Sequence, residues 1–214
     1  MSVAAIIPAF NEERTVGSVL KTIIESGLCN EIILVSDGST DSTSDIGRAL
    51  GVKVIDFKKN KGKFTAVLEG FKLSNSDIIL MIDADLVGLK KEHLLKLIEP
   101  IKKNEADMSI GIFKNGRGAT DLAQKITPFL SGQRALKRQV LEKLIEYPVE
   151  NYGLEMALTI LAKRENLKVK MVDLYDLTHV MKEEKRGLLK GSLARLKMYR
   201  DVIKALIKLK FGVY

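Results

Sequence analysis

The sequence predicts an α/β protein with a mostly parallel sheet that carries helices on both faces. Predicted strands and helices alternate five times over residues 1–112, the rhythm that is typical of βαβ units. The segment Ile78–Ile82 is an unbroken run of five apolar residues. Such a run is typical of a strand that is buried on both faces of a parallel sheet.

Apolar runs that stop at turn residues predict the strands, and apolar residues at helical spacing predict the helices. In the first half, strands are predicted over 4–7, 31–35, 52–55, 78–82 and 108–112, and helices over 12–25, between Asp41 and Gly51, over 64–73 and over 91–102. The second half is predicted to contain loops at 114–120 and 131–134, a helix to about Leu144, a helix over 156–162, a strand over 168–173 and an amphipathic helix from Leu188.

Positive charge is distributed unevenly along the 214 residues. The net charge is +8, but ten Lys or Arg residues and three acids lie in residues 182–214, so the rest of the chain is nearly neutral. We therefore predict one domain over 1–181, with halves 1–112 and 113–181, and a basic amphipathic helical tail over 182–214. A nucleic-acid-binding domain concentrates positive charge on its folded body, so no nucleic-acid partner is expected.

Cysteine usage and hydropathy indicate the compartment. Cys29 is the single cysteine, which excludes an internal disulfide framework and a multi-cysteine metal site. Residues 1–10 lack the pattern of a signal peptide, and no stretch approaches the roughly 18 apolar residues that span a bilayer. We expect a cytoplasmic protein. Its basic tail suits peripheral contact with anionic lipid, packing on the domain, or pairing in a homodimer.

Two carboxylates follow the central predicted strand. Asp83 and Asp85 are two residues apart, so in extended backbone they point the same way, beyond the carboxyl end of the strand. Ligands bind at that end of open α/β sheets, and a hard divalent cation would relieve the repulsion between the two acids. Segments 8–13 and 37–41 also carry carboxylates after strands, so they line the same edge. The alternative is that Asp83 and Asp85 only cap the next turn.

A Gly-rich, basic loop follows the fifth predicted strand. Arg117 lies between two glycines, and Thr120 adds a hydroxyl nearby. A guanidinium binds phosphate or carboxylate groups bidentately, so both residues are candidates for binding an anionic acceptor. The alternative is a loop that only faces solvent. His93 is predicted to lie at an exposed helix start and to have no functional role.

Three motifs in order resemble a known family. Residues 6–13 (Ile-Ile-Pro-Ala-Phe-Asn-Glu-Glu), 36–41 (Ser-Asp-Gly-Ser-Thr-Asp) and 83–85 (Asp-Ala-Asp) resemble the successive signatures of nucleotide-sugar glycosyltransferases of the GT-A fold, family 2 type. Residues 116–121, 131–135 and 153–155, together with His179, are similar to glucosyl-3-phosphoglycerate synthase-like enzymes. The sequence contains no Trp, so the Gln-x-x-Arg-Trp motif of processive polysaccharide synthases is absent.

The resemblance implies how the nucleotide sugar is bound. Pro8, Phe10 and Glu12 would frame the uracil and ribose, and Asp37 would contact the base or ribose. Asp83 would touch the ribose or reach a metal ion through water. Other interpretations remain open, because Glu12 can be a first-turn acid and Asp37 a turn cap.

The resemblance also implies a metal-dependent reaction. Asp85 would bind Mg²⁺ or Mn²⁺ directly and so take part in catalysis, and His179 would supply a second ligand unless it is a packed core residue. The metal would neutralise charge on the departing diphosphate. Lys61 or Lys63 would contact that diphosphate or face solvent, and the sequence does not decide which lysine does so.

The remaining site residues belong to the sugar and acceptor pockets. By resemblance, Gln133 and Arg134 would line one of these pockets, and Glu155 would lie near the sugar as a second catalytic residue. An inverting reaction needs a carboxylate base, for which Glu155 and Asp121 are both candidates.

The expected activity is transfer of a hexose, glucose by resemblance, from a UDP- or GDP-sugar to a small phosphorylated or carboxylated acceptor such as 3-phosphoglycerate. The alternatives are transfer to a polyprenyl phosphate at the membrane face and a non-catalytic nucleotide-sugar binding protein. A sugar-nucleotide pyrophosphorylase is less favoured, because the Gly-rich loop expected after its first strand is replaced here by residues 8–13.

Overall fold

The computed structural model describes residues 1–114, 131–146 and 153–180, which form an α/β fold. By contacts the chain divides into two compact units, Met1–Thr178 and His179–Tyr214. The predicted loop with Arg117 and Thr120, Asp121 and the tail helix lie outside the described residues. The two-half division of the domain stays a prediction.

The predicted strands and helices of the first half are all present, with bounds that differ by a few residues, but the short strand Leu86–Val87 between the fourth strand and the following helix was not predicted. The strands are β1 (Val3–Ala9), β2 (Glu31–Ser36), β3 (Lys53–Asp56), β4 (Ile78–Met81), β5 (Leu86–Val87), β6 (Met108–Lys114), β7 (Arg134–Lys137), β8 (Val169–Tyr175) and β9 (Thr178–His179). The helices are α1 (Val16–Ser26), α2 (Thr43–Ala49), α3 (Lys63–Lys72), α4 (Lys91–Lys102), α5 (Arg138–Glu146) and α6 (Leu154–Arg164). Among the described residues, no helix combines the length and apolar character needed to traverse a bilayer.

A seven-stranded sheet with the order β3-β2-β1-β4-β7-β6-β8 forms the centre of the fold, and β5 pairs separately with β9. β4 lies in the middle, as the apolar run predicted. β7 is antiparallel to both β4 and β6. The prediction that residue 134 belongs to a loop leading into a helix was wrong, because Arg134–Lys137 forms this strand. The strand has charged residues at both ends and only two apolar residues between them, which hides its pattern.

Each face of the sheet is covered by helices, which confirms the predicted fold class. Ala5 and Ile7 of β1 pack in one apolar cluster with residues of α1 and α4. Ala4 and Ile6, on the opposite face, pack in a second cluster with residues of α3, α5 and α6. Side chains alternate between the faces of a strand, so these apolar strands contribute to both layers.

The pairing between β1 and β4 ends at Pro8. Ile6 pairs with Met81 as the last residue of the ladder, and the N–H of Ile82 still donates to the carbonyl of Ile6 at 3.2 Å. The next bond in a parallel ladder would run from residue 8 to the carbonyl of Ile82, but proline has no N–H. The ladder therefore ends at the point where the order of the sheet reverses, and ligands of such sheets usually bind at that point.

The segment after Asp85 is held against the end of β8. Gly88 has φ +84°, and a Cβ atom there would lie 2.5 Å from the carbonyl oxygen of Asp176. His93 is only 4% exposed, and its Nε2 lies 2.9 Å from the carbonyl oxygen of Tyr175. Its Nδ1 accepts from the N–H of Lys90, so Nε2 carries the proton. The prediction that His93 is exposed was wrong, because its ring joins α4 to β8.

Candidate active site

The loops after β1 and β2 are hydrogen-bonded to each other; we call residues 10–15 and 37–43 the nucleoside loops, after the ligand that the sequence predicts for them. The N–H of Asn11 donates to Ser39 Oγ (3.1 Å), and the N–H of Thr40 donates to Asn11 Oδ1 (2.8 Å). The N–H of Glu12 donates to Thr43 Oγ1 (2.8 Å). Residues 13–15 form a turn, so α1 begins later than the predicted residue 12.

Pro8, Phe10 and Glu12 lie at the carboxyl end of β1, where the sequence predicted the nucleoside. Phe10 is 39% exposed, which leaves ring surface available for stacking. A carboxylate oxygen of Glu12 accepts from Thr15 Oγ1 at 3.2 Å, and further interactions hold this side chain. The nucleoside contacts of these three residues stay predictions.

Asp37 follows β2 and is 4% exposed. Its Oδ1 accepts from the N–H of Lys61 (2.6 Å), and its Oδ2 accepts from the N–H of Gly62 (2.8 Å). Gly38 has φ +76°, and a Cβ atom there would lie 2.5 Å from the backbone N of Asn60. Asp37 thus fixes the loop that leads into α3, whereas its predicted contact with the base or ribose stays a prediction.

Lys63, the first residue of α3, lies between two carboxylates. Its Nζ is 2.5 Å from Asp83 Oδ1 and 2.6 Å from Glu155 Oε1. Burial disfavours the ammonium, but the charges of Asp83 and Glu155 outweigh it and raise the pKa of Lys63. Burial likewise opposes ionisation of Glu155, yet Lys63 lowers the pKa of this carboxyl below its ordinary value. The exposed Lys61 instead has its Nζ 4.5 Å from the ring centre of Phe57.

Gln133 and Arg134 were predicted to line the sugar or acceptor pocket, and both are fully buried. The Nε2 of Gln133 donates to Asp83 Oδ2 at 2.8 Å, and its Oε1 accepts from the N–H of Asp83 at 3.0 Å. The guanidinium of Arg134 donates to the carbonyls of Ser131 (2.9 Å) and Glu155 (3.2 Å), and burial lowers its pKa to about 10. These contacts connect the structural elements, so ligand contact by Arg134 stays a prediction.

Sequence reasoning did not find this cluster of Lys63, Asp83, Gln133 and Glu155, which we call the carboxylate cluster. Its members lie on four separate segments and were assigned singly to different ligands. The need for glycine at position 132 was not predicted either. A Cβ atom there would come within 2.5 Å of Lys63 Nζ and closer still to the Asp83 carboxylate. A Ser-Gly-Gln-Arg sequence that leads into β7 is the available signal, but it does not identify the partner.

Asp83, Asp85 and His179 each offer one ligand atom, and these atoms all lie within 4.8 Å of one another. Asp83 and Asp85 follow β4, Asp85 directly precedes β5, and His179 ends β9, which pairs with β5. Two carboxylates and one imidazole fit a divalent ion of the Mg²⁺ or Mn²⁺ type, so the donor set agrees with the predicted metal site.

Comparison with known proteins agrees with this geometry. The family model described as glycosyl transferase family 2 matches residues 4–159. An uncharacterized protein of Methanocaldococcus jannaschii is 32% identical over 78% of this chain and 78% of its own length. The dolichol-phosphate mannosyltransferase of Pyrococcus furiosus is 33% identical over 79% of this chain, which spans 54% of that enzyme.

Among solved structures, the fold is similar to the glucosyl-3-phosphoglycerate synthase of Mycobacterium tuberculosis in complex with Mn²⁺ and UDP-glucose. The TM-score is 0.76 at 26% identity, and the match covers 97% of this chain and 78% of that one. In sequence, the chain matches 60% of the length of the same organism's synthase. Since the family model covers most of the chain, the predicted resemblance is confirmed: the chain belongs to glycosyl transferase family 2, and it is a nucleotide-sugar glycosyltransferase.

Proposed function

We propose that the chain transfers a hexose from a UDP-sugar to a small phosphorylated or carboxylated acceptor, and that glucose is the favoured hexose. The observation that carries this proposal is the Asp83, Asp85 and His179 group at the carboxyl end of the central strand. It is supported by similar structures whose complexes contain Mn²⁺, UDP-glucose and phosphoglyceric acid. GDP-sugars remain the alternative donors.

Within this proposal, Asp85 and His179 hold Mg²⁺ or Mn²⁺, and Asp83 lies beside them. The bound metal supplies neutralisation of the leaving diphosphate. Lys63 is a second cation next to the same carboxylates, so it is placed to exchange an oxygen of Asp83 for an oxygen of the donor. Lys61, whose backbone is held by Asp37, lies in the adjoining loop.

Glu155 is assigned to the hexose. Lys63 keeps the pKa of this carboxyl low, so Glu155 is ionised and is a weak base. An ionised carboxylate accepts strong hydrogen bonds from sugar hydroxyls. We therefore favour Glu155 as the residue that orients the sugar rather than as the general base.

A second candidate function is transfer to a polyprenyl phosphate. It is favoured by the similarity to the Pyrococcus furiosus dolichol-phosphate mannosyltransferase over 79% of this chain. Both acceptor classes present an anionic phosphate, so both would use the predicted contact with Arg117. That residue lies outside the described ranges.

The test is a screen of donors and acceptors with the full chain. UDP- and GDP-sugars are incubated with Mn²⁺ or Mg²⁺, first alone, then with 3-phosphoglycerate, and then with dolichyl phosphate in anionic liposomes. Transfer to the soluble acid supports the first proposal, whereas transfer to the lipid alone supports the second. Hydrolysis of the donor with neither acceptor used would overturn both acceptor assignments, and full activity in EDTA would overturn the role of the metal.

The substitution Arg117→Ala sharpens this screen. Losing a charge-assisted bond to a desolvated phosphate costs about 1.5–3 kcal/mol, so KM for the acceptor should rise roughly ten- to a hundredfold. Donor hydrolysis should be unchanged. An unchanged acceptor KM would remove Arg117 from the site.

A further inference from the structure

The side-chain amide of Gln133 forms two hydrogen bonds with the same residue, Asp83. Its Nε2 donates to Oδ2 of Asp83 (2.8 Å), and its Oε1 accepts from the backbone N–H of the same residue (3.0 Å). Gln133 is fully buried, whereas the Asp83 side chain is 19% exposed. Two bonds from one rigid amide fix both the backbone and the carboxylate of Asp83, and thereby the rotation of that carboxylate.

Lys63 competes for the same carboxylate. Its Nζ lies 2.5 Å from Asp83 Oδ1, so Asp83 has one oxygen with a cation and the other with an amide. Without the Gln133 donor, Oδ2 would be a poorly paired acceptor in a largely buried site. The carboxylate would then gain by rotating both oxygens towards Lys63, because charge-assisted bonds are stronger than neutral ones.

The segment around Gln133 is itself anchored on several sides. The carbonyl of Gln133 accepts from the N–H of Gly111 in β6 (2.8 Å), and its N–H donates to Ser131 Oγ (3.3 Å). At Gly132, any side chain would overlap the carboxylate of Asp83 and Nζ of Lys63. Glycine at 132 therefore lets the backbone approach the carboxylate closely enough for the next residue to hold it.

We propose that Gln133 is a positioning residue for Asp83, and that it does not contact the sugar or the acceptor. It keeps the Asp83 carboxylate turned towards the donor and the metal site instead of folded onto Lys63, and Gly132 supplies the necessary space. This inference rests on the proposed function, because it concerns the same site. Residues that orient a metal-site carboxylate typically contribute ten- to a hundredfold in metal affinity or activity.

The first test is Gln133→Met, which keeps the length of the side chain but cannot form either hydrogen bond. Binding of Mn²⁺ alone, measured by electron paramagnetic resonance, should weaken roughly ten- to a hundredfold, and kcat of donor hydrolysis should fall by a similar factor. KM for the acceptor should stay unchanged. Gln139→Met, in the exposed position next to Arg138 on α5, is the matched control.

The second test is Gln133→Glu, which separates orientation from mere packing. At neutral pH the new carboxylate faces Asp83 Oδ2 and repels it, whereas at lower pH one proton shared between them restores the bond. Hydrolysis by this variant should therefore recover as the pH falls, relative to the wild type and Gln139→Glu. Loss of activity at every pH, together with a lower Tm, would mean that Gln133 only packs.

Other outcomes decide between the inference and the proposed function. If Gln133→Met raises KM for the acceptor while Mn²⁺ binding and donor hydrolysis stay normal, Gln133 lines the acceptor pocket and the inference is wrong. Unchanged behaviour of both variants would equally overturn it. A wild-type chain that binds Mn²⁺ but hydrolyses no sugar nucleotide would overturn the proposed function alone, because the Mn²⁺ affinities of the variants still test Gln133.

Discussion

The two sides of the candidate site are built from different interactions. The nucleoside loops are joined by hydrogen bonds between backbone N–H groups and side-chain oxygens, such as Glu12 to Thr43 and Thr40 to Asn11. The carboxylate cluster is held mainly by charge, with Lys63 between Asp83 and Glu155. Carboxylates of Asp41 and Glu13 accept two further bonds from backbone N–H groups in these loops. The loop bonds join the chain to itself, whereas the proposed anionic donor and cation would redistribute the partners of the carboxylate cluster.

This difference indicates which side of the site has its conformation fixed before a ligand binds. The nucleoside loops are already ordered by their own chain, so substitutions there should alter affinity modestly. The carboxylate cluster holds like charges together through one lysine, so substitutions there should alter both turnover and stability.

Removal of the proposed metal ligands should have the largest effect. Asp85→Ala and His179→Ala should each reduce turnover at least about a hundredfold, because the leaving diphosphate loses its counter-charge. Steady-state turnover over a Mn²⁺ titration checks this, with Asp173→Ala, an exposed acid in β8 that lies 3.8 Å from Lys114 Nζ, as the control. Full turnover by both variants, or by the wild type in EDTA, would contradict it.

The substitution Lys63→Met should destabilise the fold by about 2 kcal/mol, since it leaves Asp83 and Glu155 facing each other without a cation. This value is reduced from the cost of breaking a fully buried pair, because the Lys63 side chain is 33% exposed. Urea unfolding measures the loss, and added Mn²⁺ should restore part of it. The control is Lys53→Met, whose side chain is 54% exposed and pairs with Glu31; it should cost less than about 1 kcal/mol. Equal effects of the two substitutions would mean that Lys63 contributes no more to stability than a lysine in an exposed salt bridge.

On the nucleoside side, Thr43→Val removes a buried hydroxyl that accepts from the N–H of Glu12. The same hydroxyl donates to Asp41 Oδ1, so the substitution removes two hydrogen bonds. At about 0.5 kcal/mol each, their loss should weaken UDP binding roughly fivefold, while kcat of donor hydrolysis stays near the wild-type value. Calorimetry with UDP and the pH-independent kcat test this pair of outcomes. Thr22→Val is the control, since the Thr22 hydroxyl bonds within its own helix. A larger fall in kcat than in affinity would show that these loops also position the reacting groups.

The smallest effect concerns His93 and pH. Burial lowers the pKa of His93, and the neighbouring Lys90 and Lys96 lower it further. A folded-state pKa below the unfolded value of about 6.5 means that stability is complete above that pH and falls as the pH drops through it. His93→Gln should flatten this part of the stability curve between about pH 7 and pH 5. An equally steep fall in the variant would assign the acid sensitivity to other groups.

The order of the strands and helices up to α4, apart from the two-residue strand β5, followed from local pattern, as did the placement of carboxylates after β1, β2 and β4. β7 did not, since its burial depends on strands more than twenty residues away. The Lys63–Glu155 pair joins residues 92 apart, and the Gln133–Asp83 bonds join residues 50 apart. Sequence spacing carries no information on such pairs. Lys63, Gln133 and Glu155 were therefore each predicted to contact a ligand, whereas in the structure each contacts another side chain of the cluster.

Pro8 prevents the ladder between β1 and β4 from extending past Ile82, because proline has no N–H. A donor at this position would extend the ladder by one bond to Ile82 and narrow the opening, which would favour the closed sheet in free energy. Proline removes that option whether or not a ligand is bound. The folded state therefore lacks the stabilisation of one backbone hydrogen bond at the edge of the candidate site, an instance of the trade-off between stability and activity.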